Sequence, residues 1–274
     1  MILLCVAVSA SAAEGVFKPL QDYLVSAGLK PKDVAELFRH KEVKFEAKVM
    51  ARLLATRESK LNYGQFLDKA NVARAKKFVG KHRAALETAH KRTGVSPSLV
   101  VAILSVESRL GSYTGRWSVF NMLASQAVLD QPKALAEIKK HWPGKRLKYL
   151  KSKKFKARTQ WRSQWGKKEL LMLIHLGREE KRSPHAYRGS VAGAMGMGQF
   201  VPSSARRFGV DGDKDGKINL SEPSDAINSV AAFLRGHGWK PNLSRKKAEK
   251  VVYAYNRSTP YVKTVLELAR RIEK

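Results

Sequence analysis

The chain has 274 residues and a 43% hydrophobic content, enough to fill one large domain or two small ones, which excludes an intrinsically disordered polymer. Fifty-three Lys and Arg against 23 Asp and Glu give a formal net charge of +30. That excess calls for a polyanionic partner, whether nucleic acid, an anionic membrane or an acidic polysaccharide. The single cysteine excludes a disulfide-stapled scaffold.

In chain order, the first stretch is "MILLCVAVSASAAEG", an apolar run closing on Ala10-Ser11-Ala12. Small residues in that A-x-A pattern mark a signal-peptide cleavage site, although the usual positive n-region is missing. Residues 1–12 therefore read as a secretory signal, too short to span a bilayer; the alternative is a buried or disordered N-terminal strand. Cys5 lies inside the segment, and the preceding Leu4 is not the small residue a lipid anchor needs. A mature chain lacking residues 1–12 has no cysteine, so no thiol chemistry, and its expected location is periplasmic or otherwise exported. Export argues against nucleic acid as the partner.

Beyond this point strand alternation is scarce and helical spacing recurs, in "DVAELFRH", "NVARAKKFVGKHRAALETAHKRTG", "SDAINSVAAFLRGHG" and "TVLELARRIEK". The expected fold is mostly α, with Gly94 and Gly111 at helix C-caps. Ser96 as N-cap and Pro97 at the first helical position start a helix in "SPSLVVAILSVESRLG". On it Val100, Ile103 and Leu104 share a face with Glu107. A carboxyl at the end of an apolar stripe has its pKa raised by burial. A carboxylic acid still protonated near neutral pH suits a general acid that protonates the leaving oxygen of a sugar–sugar bond. The competing reading is a glutamate paired with a cation at the helix end.

Lys139 to Arg182 is the most basic stretch, with Trp142, Trp161 and Trp165 among its cations. Such interleaving fits sugar rings or nucleic-acid bases, or a solvated face with packing tryptophans. "GSVAGAMGMGQFVPSSARRFG" follows, without dinucleotide-binding spacing. Its glycines allow backbone to approach a ligand, and Gln199 offers both a donor and an acceptor for hydroxyl and acetamido groups. "DGDKDGKINLSE" then matches an EF-hand loop. Asp211, Asp213 and Asp215 take positions 1, 3 and 5, and Gly216 makes the turn. Lys217 offers its carbonyl, Asn219 stands at position 9, and Glu222 is the bidentate position 12. One structural Ca2+ is expected, bracing the glycine loop. "YAYNRSTPY" gathers Tyr255, Asn256 and Tyr261, aromatic faces beside an amide.

Three blocks, "GVSPSLVVAILSVESRLG", the glycine loop continued through the calcium loop to "FLRGHGW", and "YNRSTPY", together resemble the lytic murein transglycosylase B family in order and content. A weaker match reaches back through "DVAELF". The resemblance implies a lysozyme-like helical core with additional N-terminal helices. It implies cleavage of peptidoglycan glycan strands at the β-1,4 bond between N-acetylmuramic acid and N-acetylglucosamine, leaving 1,6-anhydromuramic ends. It puts the single catalytic acid on Glu107 and lines the glycan site with Ser190, Met197, Gln199, Phe200, Tyr255, Asn256 and Tyr261. The implied partner is the glycan strand, through peripheral association with the cell wall and with no nucleic acid involved. The implied layout is a helical region over 13–93 and a catalytic region over 94–274, with a basic insertion at about 131–185 and the calcium loop at 211–222.

Two departures stand out. Only "KPNLSRKKAEKVVYA" separates Trp239 from Tyr255, so a small β subdomain of better-known members is absent. An upstream active-site tyrosine falls on Asn62, with Tyr63 adjacent, and is not carried over. Two other activities fit the same residues: a lysozyme-like muramidase using Glu107 with water, and a non-catalytic, calcium-stabilised wall-binding protein.

Overall fold

The structure, a computed structural model, describes residues 7–56, 63–144 and 147–274. Fourteen α-helices and one two-stranded sheet are found among them. The chain divides into two compact units, each assembled from separate segments: residues 1–57 with 117–193, and 58–116 with 194–274. The boundary expected near residue 93 falls inside the second unit. The expected signal segment lies partly outside the described residues, and from Ala7 the backbone is already part of the first helix.

The first unit holds α1 (Ala7–Ser26), α2 (Pro31–Arg39), α3 (Ala47–Ala55), β1 (Trp117–Ser118), α7 (Val119–Ala127), α8 (Pro132–Lys140), α9 (Leu147–Leu150), α10 (Lys153–Glu179) and β2 (Arg188–Gly189). β1 and β2 pair antiparallel, Trp117 opposite Gly189. α10 begins at Ser152, whose hydroxyl accepts from the Phe155 amide. It buries Phe155, Thr159, Ser163, Gly166, Leu170, Leu173 and Ile174 against α7. Gly166 permits the approach, since a Cβ there would lie 2.7 Å from the Ala127 nitrogen. Ser163 seals the same contact by donating to the Ala127 carbonyl at 2.6 Å. The segment at 131–185, expected as a basic insertion over the core, thus contributes core residues of its own.

The second unit holds a 3-10 turn at Tyr63–Leu67, α4 (Lys69–Lys81), α5 (Arg83–Thr93), α6 (Pro97–Ser108), α11 (Pro202–Phe208), α12 (Pro223–Gly236), α13 (Arg245–Tyr255) and α14 (Thr259–Glu273). α6 is its axis. Every residue from Ser98 to Ser105 is buried, and α4, α5, α12 and α14 all pack against it. A helix apolar all round must be enclosed on all sides, and this one is. Side-chain bonds pin its length. Ser98 donates to Glu273 at 2.5 Å, and Ser105 and Asn71 exchange hydrogen bonds between α6 and α4.

Gly94 closes α5 in the left-handed region, as its position predicts. α6 departs from expectation. It ends at Ser108, with Arg109 and Leu110 both at positive φ before Gly111. Gly111 instead serves close approach, since a Cβ there would stand 3.1 Å from the Met197 side chain. The short stretch expected to replace a β subdomain is a turn leading into α13.

Replacing Gly166 with Ala forces α10 away from α7, because the obstructing atoms are backbone. Unfolding in urea should show a loss of about 1–3 kcal/mol. An unchanged midpoint would mean that the two helices are not packed this closely.

Candidate active site

The end of α6 carries Glu107, two residues before the left-handed reversal. Its stripe is as expected, with Val100, Ile103 and Leu104 fully enclosed, while the glutamate side chain retains partial exposure. Burial pushes its carboxyl up to about 7, and the Tyr261 hydroxyl, which favours the charged form, offsets this only in part. Desolvation therefore wins, and the group is poised to give or take a proton near neutral pH. Among the described residues no carboxylate and no cation perturbs it, and it forms no salt bridge with any of them.

Two tyrosines, Tyr261 and Tyr255, interact with it, and a third, Tyr63, lies against Tyr261. Tyr261, 1% exposed, sits at the start of α14, where the Ser258 hydroxyl caps the helix by accepting from the Tyr261 amide. Its own hydroxyl is buried without a partner of good hydrogen-bond geometry, although it and Glu107 perturb each other. The pair interacts without closing a full hydrogen bond. Tyr255 ends α13 and donates to the Gly198 carbonyl at 2.5 Å. Burial first, then the Glu107 charge, raise both phenols well above the ordinary tyrosine range, so they remain neutral donors. Tyr63 meets Tyr261 edge-on, centroids 6.3 Å apart. Sequence reasoning passed over Tyr63 because the upstream tyrosine aligned with Asn62, which lies outside the described residues; its proximity to Tyr261 spans nearly two hundred residues of sequence.

The glycine loop folds back as a short hairpin, in which Met195 and Phe200 exchange backbone hydrogen bonds of 2.8 and 2.9 Å. Gln199, at the turn, is held at φ 50°, a conformation that non-glycine residues adopt at a cost. Its side-chain nitrogen donates to the carbonyls of Thr114 at 3.1 Å and Gly196 at 2.9 Å, so one contact ties the turn to the segment after α6 and the other closes the loop on itself. Met197 and Phe200, each 2% exposed, support the site from beneath and offer little surface to a ligand. Phe200 packs on Phe233 and Tyr255. Asn256 is half-buried at the end of α13. Ser190 belongs to the other unit, where its hydroxyl accepts from the Ala192 amide at 3.3 Å. A cavity of about 470 Å³ in that unit, lined in part by His40, Arg178 and His185, includes none of the expected site residues.

The acidic loop presses directly on the hairpin. The Met197 amide donates to the Leu220 carbonyl at 2.8 Å, and a Cβ on Gly196 would meet that same oxygen at 2.4 Å. Within the loop, Asp211 accepts from the amides of Asp215 and Gly216, and Gly216 turns at φ 85°. Ligand-competent oxygens of Asp211, Asp213 and Asp225 lie within 4.8 Å of one another. Asp215 and Glu222, both expected as ligands, stay outside this cluster, and both are exposed. Asn219 turns its side chain to the Ser221 amide. Asp225 was not expected. It is 2% exposed and accepts from Gly212 at 2.8 Å and Asn219 at 2.6 Å, tying both ends of the loop to α12. The one signal available in sequence was an acid in the first turn of α12, which reads as ordinary helix-end chemistry.

The Glu107 carboxyl has a folded pKa above its unfolded value of about 4.5. The folded state therefore holds a proton that the unfolded state releases between about pH 4.5 and 7, and stability falls as pH rises through that window. Relative to Glu107→Gln, the wild-type chain should match the variant near pH 4. By pH 8 it should lose on the order of 3 kcal/mol. Parallel pH profiles for the two proteins in urea unfolding would place the carboxyl in water instead.

No described helix is long and apolar enough to cross a membrane. A family profile described as "Transglycosylase SLT domain" matches residues 12–249. Membrane-bound lytic murein transglycosylase B of Escherichia coli K12 is 34% identical over 175 residues, an alignment that covers 64% of this chain and 40% of that protein. In structure, the soluble lytic transglycosylase SltB1 of Pseudomonas aeruginosa superposes with a TM-score of 0.75 at 24% identity, covering 93% of this chain and 98% of SltB1. The Escherichia coli lytic transglycosylase Slt35, solved in complex with calcium, superposes with a TM-score of 0.72 at 22% identity, covering 94% and 92%. The fold is the mostly α, lysozyme-like one of these enzymes, and the chain belongs to the transglycosylase SLT domain family.

Proposed function

We propose that the protein is a lytic murein transglycosylase, cleaving the β-1,4 bond between N-acetylmuramic acid and N-acetylglucosamine with Glu107 as its only acid–base. One observation carries this reading: a carboxyl raised to about 7 by burial, beside the neutral phenols of Tyr255 and Tyr261, with no carboxylate among the described residues perturbing it. Ordinary glycosidases need a second carboxylate to activate water or to attack the sugar. An intramolecular route does not. Protonated Glu107 gives its proton to the glycosidic oxygen as the C1–O4 bond breaks. The resulting carboxylate takes the proton of the C6 hydroxyl as O6 bonds to C1. One bond replaces another, the proton returns to Glu107, and no water is consumed. Tyr255, Asn256, Tyr261 and Gln199 line the glycan site, Met197 and Phe200 support it, and Ser190 is assigned a glycan contact of its own. The substrate lies in the cell wall, so residues 1–12 are read as an export signal to the periplasm.

Fragments released from purified peptidoglycan should be lighter than hydrolysis products by one water. Glu107→Gln should release them about 10³-fold more slowly. Reducing muramic ends alone would make the protein a muramidase. A fully active Glu107→Gln would remove the acid from the mechanism.

The acidic loop is proposed to hold one Ca2+. Clustered carboxylates in a chain this basic suit a hard divalent cation, and Asp211 and Asp213 supply them. Lys217 lends its carbonyl, and Asp225, with both oxygens already engaged by amides, shapes the site from behind. Asp215, Asn219 and Glu222, ligands in the EF-hand pattern, would turn inward to complete its coordination. The ion supplies rigidity at Leu220, where the glycine hairpin rests; that Slt35 has been solved with calcium agrees. Chelation should lower the melting temperature and added calcium restore it, by about 2.7 kcal/mol at a hundredfold excess over Kd. Asp211→Ala with Asp213→Ala should abolish the response. A melting temperature indifferent to chelator and calcium would rule the ion out.

A further inference from the structure

The basic stretch is only partly used by the fold. From Lys139 to Lys168 the sequence has thirteen Lys and Arg and no Asp or Glu. On α10, Arg158 donates to the carbonyls of Leu53, Leu54 and Thr56, and Arg162 donates to Gln126. Lys167 faces Asp130 and the Tyr23 ring. Those cations bind their own unit. Lys153, Lys154, Lys156 and Lys168 do not. All four are exposed, and none is in an ion pair among the described residues.

Lys154, Trp161 and Lys168 recur every seven residues, so they share one face of the helix, about 21 Å long. At its centre Trp161 is 60% exposed and lies nearly parallel to Trp165, centroids 6.4 Å apart and planes 15° apart. An exposed indole stiffened by a second one beneath it is a stacking platform, and lysines at both ends are counter-charges for an anionic polymer. The apolar side of α10 is buried within its unit, and Trp161 is the only exposed large hydrophobic on this helix. The face therefore lacks the apolar depth that holds an interfacial helix in a bilayer. It presents a ring face between charges, the arrangement that tracks a linear polymer of rings and acidic groups.

We infer that the Lys154–Trp161–Lys168 face of α10 is a second binding surface for the acidic glycan strand, on the unit that does not carry Glu107. The inference rests on the proposed function for the identity of the polymer. One sugar ring stacks on Trp161, and carboxylates borne by the strand meet the lysines. Because the contact is largely ionic, it weakens as salt rises.

The test uses the full chain carrying Glu107→Gln, so that the polymer is not consumed, in a pelleting assay with purified insoluble peptidoglycan. Adding Trp161→Ala, Lys154→Gln and Lys168→Gln should weaken retention about tenfold or more at low salt. All three side chains are exposed, so the melting temperature should not move. Peptidoglycan with its carboxyls amidated should retain the parent as weakly as the triple variant binds the native polymer. Equal retention of parent and triple variant would overturn the inference. So would a difference that appears only with phosphatidylglycerol vesicles, which makes the face a membrane surface, or only with single-stranded DNA. Cleavage of short soluble strands by the wild-type chain tests the proposed function separately, since retention is read in a protein that does not cut.

Discussion

Enclosure of α6 is the constraint on which the second unit depends. A helix with buried residues on every side can lie only where four neighbours cover it, and α4, α5, α12 and α14 do so. That enclosure carries Glu107 to a place where burial outweighs its one hydrogen-bonding partner and where no described residue supplies a countercharge. The raised pKa is thus a by-product of packing, and the proton-transfer capacity follows from the pKa. A cation near the carboxylate would have stabilised the fold and disabled the acid.

Around this axis the site is built from backbone contacts that tolerate little change. Gly111 makes room for Met197, Gly196 for Leu220, and Gly198 for the Tyr255 hydroxyl, each at 3.1 Å or less from the Cβ it lacks. Side chains then lock the pieces, Gln199 to Thr114 and Tyr255 to Gly198. Glu107, the glycine hairpin and the acidic loop consequently form one connected structure. A disturbance at Leu220 reaches the hairpin through a single 2.8 Å hydrogen bond. This gives a physical route by which a cation in the loop could steady the site without touching the reacting bond.

The first unit divides its charge between two uses. Arginines of α10 satisfy carbonyls and so behave as structural donors, which a lysine, with its point charge, does less well. The exposed lysines of the same helix form no ion pair among the described residues, although the chain as a whole carries enough like charge to repel itself. Keeping them at the surface around a stacked tryptophan pair favours an external anion as their counterpart.

Local chemistry was legible in the sequence. Ser96 and Pro97 started α6, the spacing of Val100, Ile103 and Leu104 placed Glu107 on a buried stripe, and Gly94 closed α5, because caps and helical periodicity are set by residues a few positions apart. The acidic loop was legible for the same reason. Relations between distant residues were decided by the tertiary structure. Tyr63 comes to Tyr261, Asp225 joins Asp211 and Asp213 from the next helix, Met197 and Phe200 turn inward, and Gly111 serves contact in place of a cap. The two units each draw on separated segments, so no boundary in composition could mark them. Sequence fixes what each short segment can do by itself. Which side chains meet depends on how enclosed helices share one core, and that is settled only when all of them pack together.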